Sequence, residues 1–389
     1  MRILYVTDAL ASWGGLERVL IGKANFFATH SNHEVYLVTV SQGSHSSPFS
    51  LESLVTHVDL NIPFHSQYMH SGLRRILFLR HLHQKCRARF LAQIDTIRPD
   101  VIICVRIEFV KDLIRVKGKI PLVFESHASF WTSRFEGAGW LRCIHTFLMN
   151  LSARKANAIV ALTEGDASVW RKVNKSVFVI PDMVHLNESG TYCDGLSKTV
   201  IFVGRLSRQK DLGSLLSIWH IVHERYPDWQ LHIYGEKCDA DEALYKQLLI
   251  LDQGMVVHSP TQNILDEYKK HTILILTSRY EPFGMVLPEA MSCGLPVVAF
   301  DCPYGPKDIV TDSVDGFLIR NRSVSNFADR ICLLIKNEAL RIKMGKTAIQ
   351  SSQRYSADKI MPMWNHLLTH IESRKYSTSC LVDIFCSIC

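Results

Sequence analysis

The chain of 389 residues contains no run of about 18 or more apolar residues, so a membrane-spanning helix is not expected. Its opening, Met1-Arg-Ile-Leu-Tyr-Val-Thr7, carries one basic residue and then reads as a strand, and residues 9–15 interrupt any apolar core of a secretion signal. A cytoplasmic protein is the expectation. The dinucleotide fingerprint G-x-G-x-x-G is missing, which speaks against a dinucleotide-dependent dehydrogenase. A disulfide scaffold is equally poorly supported. The eleven cysteines are scattered, Cys104, Cys293, Cys302 and Cys332 fall inside apolar segments, and no C-x-x-C spacing precedes the final Cys386-Ser-Ile-Cys389. That ending has the outline of a prenylation box, but its Ser is not aliphatic and Cys is an unusual last residue.

Acidic residues are scarce in one half only. Residues 1–190 hold 22 Lys/Arg against 15 Asp/Glu, while the remainder holds 22 of each, so the whole net charge of +7 lies in the first half. It concentrates in Arg74, Arg75, Arg80, Lys85, Arg87 and Arg89, a stretch without an acid in which Leu73, Ile76, Leu77, Leu79 and Leu82 keep roughly helical spacing. A basic amphipathic helix over residues 74–89 suits an anionic membrane surface, each basic residue adding about 1 kcal/mol near it. Nucleic acid is not an expected partner, because aromatic residues are not interleaved with the basic ones.

What is present is a grammar repeated twice. Buried runs at 3–7, 35–40, 101–105, 122–125 and 159–163 alternate with helical patterns, and runs at 200–204, 230–234, 255–258, 273–277 and 297–301 do the same. Short continuous apolar strands alternating with helices predict parallel sheets covered on both faces, hence α/β architecture with two Rossmann-like doubly wound domains across a cleft. The turn-rich Asn187-Glu-Ser-Gly-Thr-Tyr-Cys-Asp-Gly195 reads as the linker.

The densest motif is Ser278-Arg-Tyr-Glu-Pro-Phe-Gly-Met-Val-Leu-Pro-Glu289, followed by Ala-Met-Ser-Cys-Gly-Leu-Pro-Val-Val298. A strand to Thr277 leads into the turn Glu281-Pro-Phe-Gly284. A helix from Met285 to Cys293 follows, with Pro288 in its first turn and Gly294 as its stop. N–H groups around residues 284–287 would face the crevice at the carboxyl end of the sheet, where they suit phosphate oxygens, while carboxylates at 281 and 289 suit sugar and ribose hydroxyls. After the strand at 200–204 comes Gly204-Arg-Leu-Ser-Arg-Gln-Lys210, whose Arg205 and Lys210 can reach a diphosphate. Gly14 and Gly15, just past the first strand, let backbone approach a ligand closely. His127 lies just past a strand end.

The pair Glu281 and Glu289, eight positions apart in this context, with Arg205 and Lys210 five apart, resembles the signatures of the family-4 retaining glycosyltransferases of GT-B architecture. The resemblance implies an acceptor-side domain over 1–187, a nucleotide-sugar domain over 196–355 and a last helix over 356–372 crossing back to the first domain; residues 373–389 read as a loose tail. It implies a donor site of Gly14, Gly15, Arg205, Lys210, Glu281, Phe283, Gly284, Met285, Val286 and Glu289, with Glu281, His127, Arg205 and Lys210 serving the transfer itself. The implied reaction moves a hexose-type sugar, from a UDP-sugar in preference to a GDP-sugar, to a hydroxyl of a glycan or polyprenyl-linked saccharide. It needs no cofactor and no metal; Asp239-Ala-Asp241 reads as the cap of a helix over 241–251 rather than a metal motif. A sugar-nucleotide epimerase and a non-catalytic donor-binding scaffold subunit are the alternatives.

Overall fold

A computed structural model describes residues 1–132, 139–237, 245, 246, 248 and 254–386, with backbone alone for 141 and 374–386. The expected Asp239-Ala-Asp241 cap and most of its helix therefore lie outside the described residues, as do residues 133–138. The first half builds a seven-stranded parallel sheet from β1 (Arg2–Thr7), β2 (Glu34–Thr39), β3 (Val55–Asp59), β4 (Val101–Cys104), β5 (Leu122–Ser126), β6 (Ala158–Ala161) and β7 (Val177–Val179), in the order β3-β2-β1-β4-β5-β6-β7. The second builds a six-stranded parallel sheet from β8 (Thr199–Val203), β9 (Gln230–Tyr234), β10 (Met255–His258), β11 (Ile273–Leu276), β12 (Val297–Phe300) and β13 (Gly316–Ile319), in the order β10-β9-β8-β11-β12-β13. Both are doubly wound. Strand order reverses between β1 and β4 in one sheet and between β8 and β11 in the other, and a crevice opens beyond the carboxyl ends of strands at such a reversal.

Each sheet buries both faces, as its unbroken apolar strands require. In the second sheet Val200, Phe202, Leu231, Ile233, Ile273 and Ile275 face one layer, with Trp219 and Phe327 from the covering helices, and Ile201, Leu274, Leu276 and Val297 face the other. In the first sheet Leu4, Val6, Ile102 and Phe124 face Phe90, Phe109 and Trp170, while Ile3, Tyr5, Val101 and Ile103 face Leu20 and Phe27.

The last helix, Ala357–Cys386, returns to this first sheet: Ile360, Met361, Trp364, Leu367, Leu368 and Ile371 complete the layer that contains Ile3 and Tyr5. It starts where the sequence places it but runs on through the segment read as a loose tail, because residues 373–386 hold neither Gly nor Pro to stop it. The segment 187–195 has no regular structure and packs on the second half, where the Asn187 N–H donates to Ser292 Oγ at 3.0 Å and the Cys193 N–H to the Cys293 carbonyl at 2.9 Å.

The basic helix spans Gly72–Ile97 and buries Leu82, Cys86, Phe90, Ile94 and Ile97. Its expected apolar face divides: Leu82 joins the core, whereas Leu73, Ile76 and Leu77 are 71%, 52% and 55% exposed, beside the exposed Tyr68 and Met69. Arg87 is not directed at solvent alone; it pairs with Asp112 at 3.1 Å, as does His83 at 2.5 Å. Among the described residues no helix is long and apolar enough to cross a membrane. Cys86, Cys104, Cys293, Cys302 and Cys332 are buried thiols.

Trp364 is buried in the first half's core although it lies close to the end of the chain. Trp364→Ala should destabilise the protein by about 3–5 kcal/mol, read as a shift of the urea unfolding midpoint. A change below about 1 kcal/mol would show that the last helix does not carry the first sheet.

Candidate active site

The two reversals face one cavity of about 950 Å³. Gly14, Gly15 and His127 line it from the first half, and Arg205, Lys210, Glu281, Phe283, Gly284, Met285, Val286 and Glu289 line it from the second, so all the residues nominated from sequence meet there.

The second-half wall is held by hydrogen bonds from N–H groups and side chains to loop carbonyls. β8 and β11 are adjacent, and the loops that follow them are stapled: the Arg279 N–H donates to the Gln209 carbonyl at 2.8 Å, and Thr277 Oγ1 donates to the Lys210 carbonyl at 2.7 Å. Beneath them Asp211 receives Arg279 at 3.1 Å and Arg322 at 2.5 Å, while Arg322 also donates to the Thr277 and Ser278 carbonyls. Burial alone would raise the Asp211 carboxyl, but the Ser214 hydroxyl and the two arginines hold it below its ordinary value. This frame brings Lys210 Nζ to 2.5 Å from Glu281 Oε1, which also accepts from Ser278 Oγ at 2.6 Å. Arg205 stands exposed on the same loop.

The turn at 281–284 has its own brace, absent from the sequence reading. The Glu281 N–H donates to the Pro303 carbonyl at 2.7 Å, and the Glu281 carbonyl accepts from Tyr304 N–H at 2.8 Å and Gly305 N–H at 2.9 Å. A side chain at Gly305 would run into the Phe283 carbonyl, so this approach requires glycine there. Gly284, at φ +102, turns the chain into the helix Val286–Ser292. The buried Phe283 ring packs edge-on against Tyr355 at 5.3 Å.

Glu289 is buried, which pushes its carboxyl above the ordinary range against the pull of Arg18 and the Tyr268 hydroxyl. Arg18 Nη1 donates to Glu289 Oε1 at 2.8 Å, across the cleft, and Tyr268 Oη donates to Oε2 at 3.4 Å. Sequence reasoning missed Arg18, although its place one helical turn after Gly14-Gly15 was a signal. The helix that carries it, Gly15–His30, starts at the glycine loop and so aims its first turn across the opening.

His127 sits over a buried charged group. Its Nε2 is 2.9 Å from Glu125 Oε1 and its Nδ1 is 3.7 Å from Asp182 Oδ1. Lys23, itself buried, pairs with Glu125 and lies 4.6 Å from the Trp364 ring. Glu125, His127 and Asp182 bring ligand-type atoms within 4.8 Å of one another, and Lys23 already supplies this group with a cation. Burial would raise the Glu125 carboxyl, yet Lys23 and His127 hold it down to about 2. Glu164, another strand-end acid, instead pairs with Arg171 at the surface.

The wall beyond β9 and β10 carries Tyr234, stacked on His258 at 4.3 Å and donating to Glu267 Oε2 at 2.7 Å, next to Pro260, Thr261 and Gln262. Residues 194–351, which contain both this wall and the acid pair, match the family model described as Glycosyl transferases group 1. They form a group 1 glycosyltransferase domain. Over most of its length the chain is similar to the amylovoran biosynthesis glycosyltransferase AmsD of Erwinia amylovora, 28% identical over 383 residues that cover 94% of this chain and 99% of that protein. The fold resembles sucrose-phosphate synthase from Thermosynechococcus elongatus (TM-score 0.79, 17% identity, 96% of this chain and 99% of that one). It also resembles a variant of Staphylococcus aureus TarM solved with Fondaparinux, alpha-GlcNAc-glycerol and UDP (TM-score 0.77, 15% identity, 94% and 99%). The architecture is GT-B, with the group 1 domain as its second half.

The Lys23–Glu125 pair sets an acid dependence. A carboxyl depressed from 4.5 to about 2 contributes stability that is fully present above pH 4.5 and is lost as pH falls through 2. That amounts to about 3 kcal/mol. Glu125→Gln should flatten the stability profile over this window and, by leaving Lys23 buried without its counter-charge, cost about 3–5 kcal/mol at pH 7. Parallel profiles for the two proteins by denaturant unfolding between pH 2 and 7 would overturn the assignment.

Proposed function

We propose that this glycosyltransferase moves a hexose-type sugar from a nucleotide diphosphate to a hydroxyl of a glycan or polyprenyl-linked saccharide, with retention at the anomeric carbon and without a metal. The observation that carries the reading is the convergence of Arg205, Lys210, Glu281 and Glu289 on one cavity at the reversal of the second sheet. As the bond to C1 breaks, charge gathers on the leaving diphosphate. Arg205 and Lys210, which line the cavity, and the N–H groups opening the helix Val286–Ser292 would stabilise that charge, which is where electrostatic catalysis acts. These cations supply the positive charge otherwise asked of a metal. Lys210 would then exchange its partner, leaving Glu281 to accept from the sugar hydroxyls while Glu289 accepts from the ribose. His127 would contact the transferred sugar from the opposite wall. No side chain is required as a nucleophile: the departing phosphate takes the acceptor's proton as the acceptor attacks from the same face.

UDP is the preferred carrier. The UDP complex of TarM, a protein of the same fold, supports it, and Tyr234 with residues 260–262 offers the base a flat surface. A polysaccharide-assembly role agrees with the name of the amylovoran relative. The exposed Leu73, Ile76 and Leu77 beside Arg74 and Arg80 support peripheral attachment to an anionic membrane, with the protein on the cytoplasmic side.

Proton NMR of the protein with UDP- and GDP-sugars, in chelator and without acceptor, should show slow release of one sugar, first as the donor's anomer. Glu281→Ala should lower turnover by roughly 100-fold and Glu289→Ala should raise the donor KM about tenfold or more; wild-type constants in both variants would sink the site. In sedimentation with vesicles, the protein should bind phosphatidylglycerol-containing bilayers and ignore pure phosphatidylcholine, with Leu77→Glu reducing the bound fraction. Equal binding to both compositions would remove the membrane role.

A further inference from the structure

Trp13 is 46% exposed at the cleft although its side chain is the largest apolar group available. It projects into the first-half end of the cavity, with Phe49 edge-on at 5.7 Å and 72° and with Ser12, Pro48 and Ser50 around the pair. We propose that Trp13 and Phe49 form the stacking platform for a sugar ring of the acceptor. The inference rests on the glycosyl-transfer reading above.

Three observations carry it. The platform is built rather than incidental, because the loops bearing the two rings are tied together and to the first helix. Gln42, buried, accepts from the Leu10 N–H at 2.6 Å and donates to the His45 carbonyl at 2.6 Å, which joins the segment leading to Trp13 to the loop after β2. Asn25 on the first helix donates to the Ser50 carbonyl at 3.0 Å and accepts from the Glu52 N–H at 2.9 Å, while Ser47 Oγ donates to the Phe49 carbonyl at 2.8 Å. Rings held this way lose little freedom when a ligand arrives.

The second observation is place. The diphosphate cations Arg205 and Lys210 and the base-side Tyr234 all belong to the second half, and the platform lies on the other wall of the same cavity, next to Gly14 and Gly15. A nucleotide held by the second half leaves these rings to another molecule. The third is chemistry. One face of a pyranose is a sheet of C–H groups and its rim is hydroxyls; an indole face with Ser12 and Ser50 beside it matches both.

The test is saturation-transfer NMR with methyl β-maltoside, methyl β-cellobioside and methyl β-lactoside, run with and without UDP, on wild type, Trp13→Ala and Trp13→Phe. At least one glycoside should receive saturation on its ring C–H protons from the wild type. Trp13→Ala should lower that signal at least fivefold, Trp13→Phe should keep it within twofold, and the UDP Kd should stay within twofold in both. No saturation of any glycoside, an undiminished signal in Trp13→Ala, or a UDP Kd that weakens along with the sugar signal would overturn the platform. A wild type that fails to bind UDP yet shows the Trp13-dependent sugar signal would tell against the donor reading and leave the platform standing.

Discussion

A buried carboxylate needs a counter-charge, and Glu289 finds its own on the opposite side of the cleft. Water cannot solvate this acid, so its ionised form depends on Arg18 and on the Tyr268 hydroxyl. Because Arg18 stands one turn beyond Gly14 and Gly15, satisfying Glu289 also sets how the glycine loop meets the second half, where a side chain added to Gly15 would touch Met285. The ion pair therefore spans the opening and joins its two walls. Glu281 obeys the same requirement locally, through Lys210 and Ser278. Each acid of the pair thus faces a cation, Arg18 across the cleft for Glu289 and Lys210 on the same wall for Glu281.

Placement of these charges comes from hydrogen bonds that end on backbone carbonyls, donated by N–H groups and by side chains alike. The bonds between residues 209–210 and 277–280, and between 281 and 303–305, fix two loops, the first of which holds only a single 3-10 turn at Arg208–Lys210. Asp211, receiving two arginines, is the knot under both. A loop held at so many points loses little entropy on binding, which suits a site where charge must be met by dipoles already in place.

Much of this was legible in the sequence, for identifiable reasons. Strands buried on both faces announce themselves as continuous apolar runs, so the central strands of both sheets were readable. The strands that escaped notice, β3, β7 and β13, lie at or next to sheet edges or are short: Val-Thr-His-Val-Asp59 shows a mixed pattern because one side of it meets solvent, β7 has three residues, and β13 opens on Gly316. The acids 281 and 289 and the cations 205 and 210 stood out through spacing. Arg18 did not, since an arginine on an amphipathic helix looks like any solvated residue until a second domain faces it. Gly305 was hidden for a related reason: the need for glycine arises from a carbonyl 22 positions away in sequence. In the helix Gly72–Ile97 the apolar spacing was seen, but only packing reveals that part of it turns toward solvent.

The helix from Ala357 onward gives the chain an unusual dependence on its own order of synthesis. The strands that open the sequence have one face of their sheet covered only in part, by the first helix, until Trp364 and its neighbours have emerged, more than three hundred residues later. The second half, by contrast, has nearly all its core in hand before that point. On the ribosome the domain made first is therefore the one finished last, and during the interval its apolar face has to be shielded by something else, a chaperone or a transient collapse, before the two ends of the polypeptide meet.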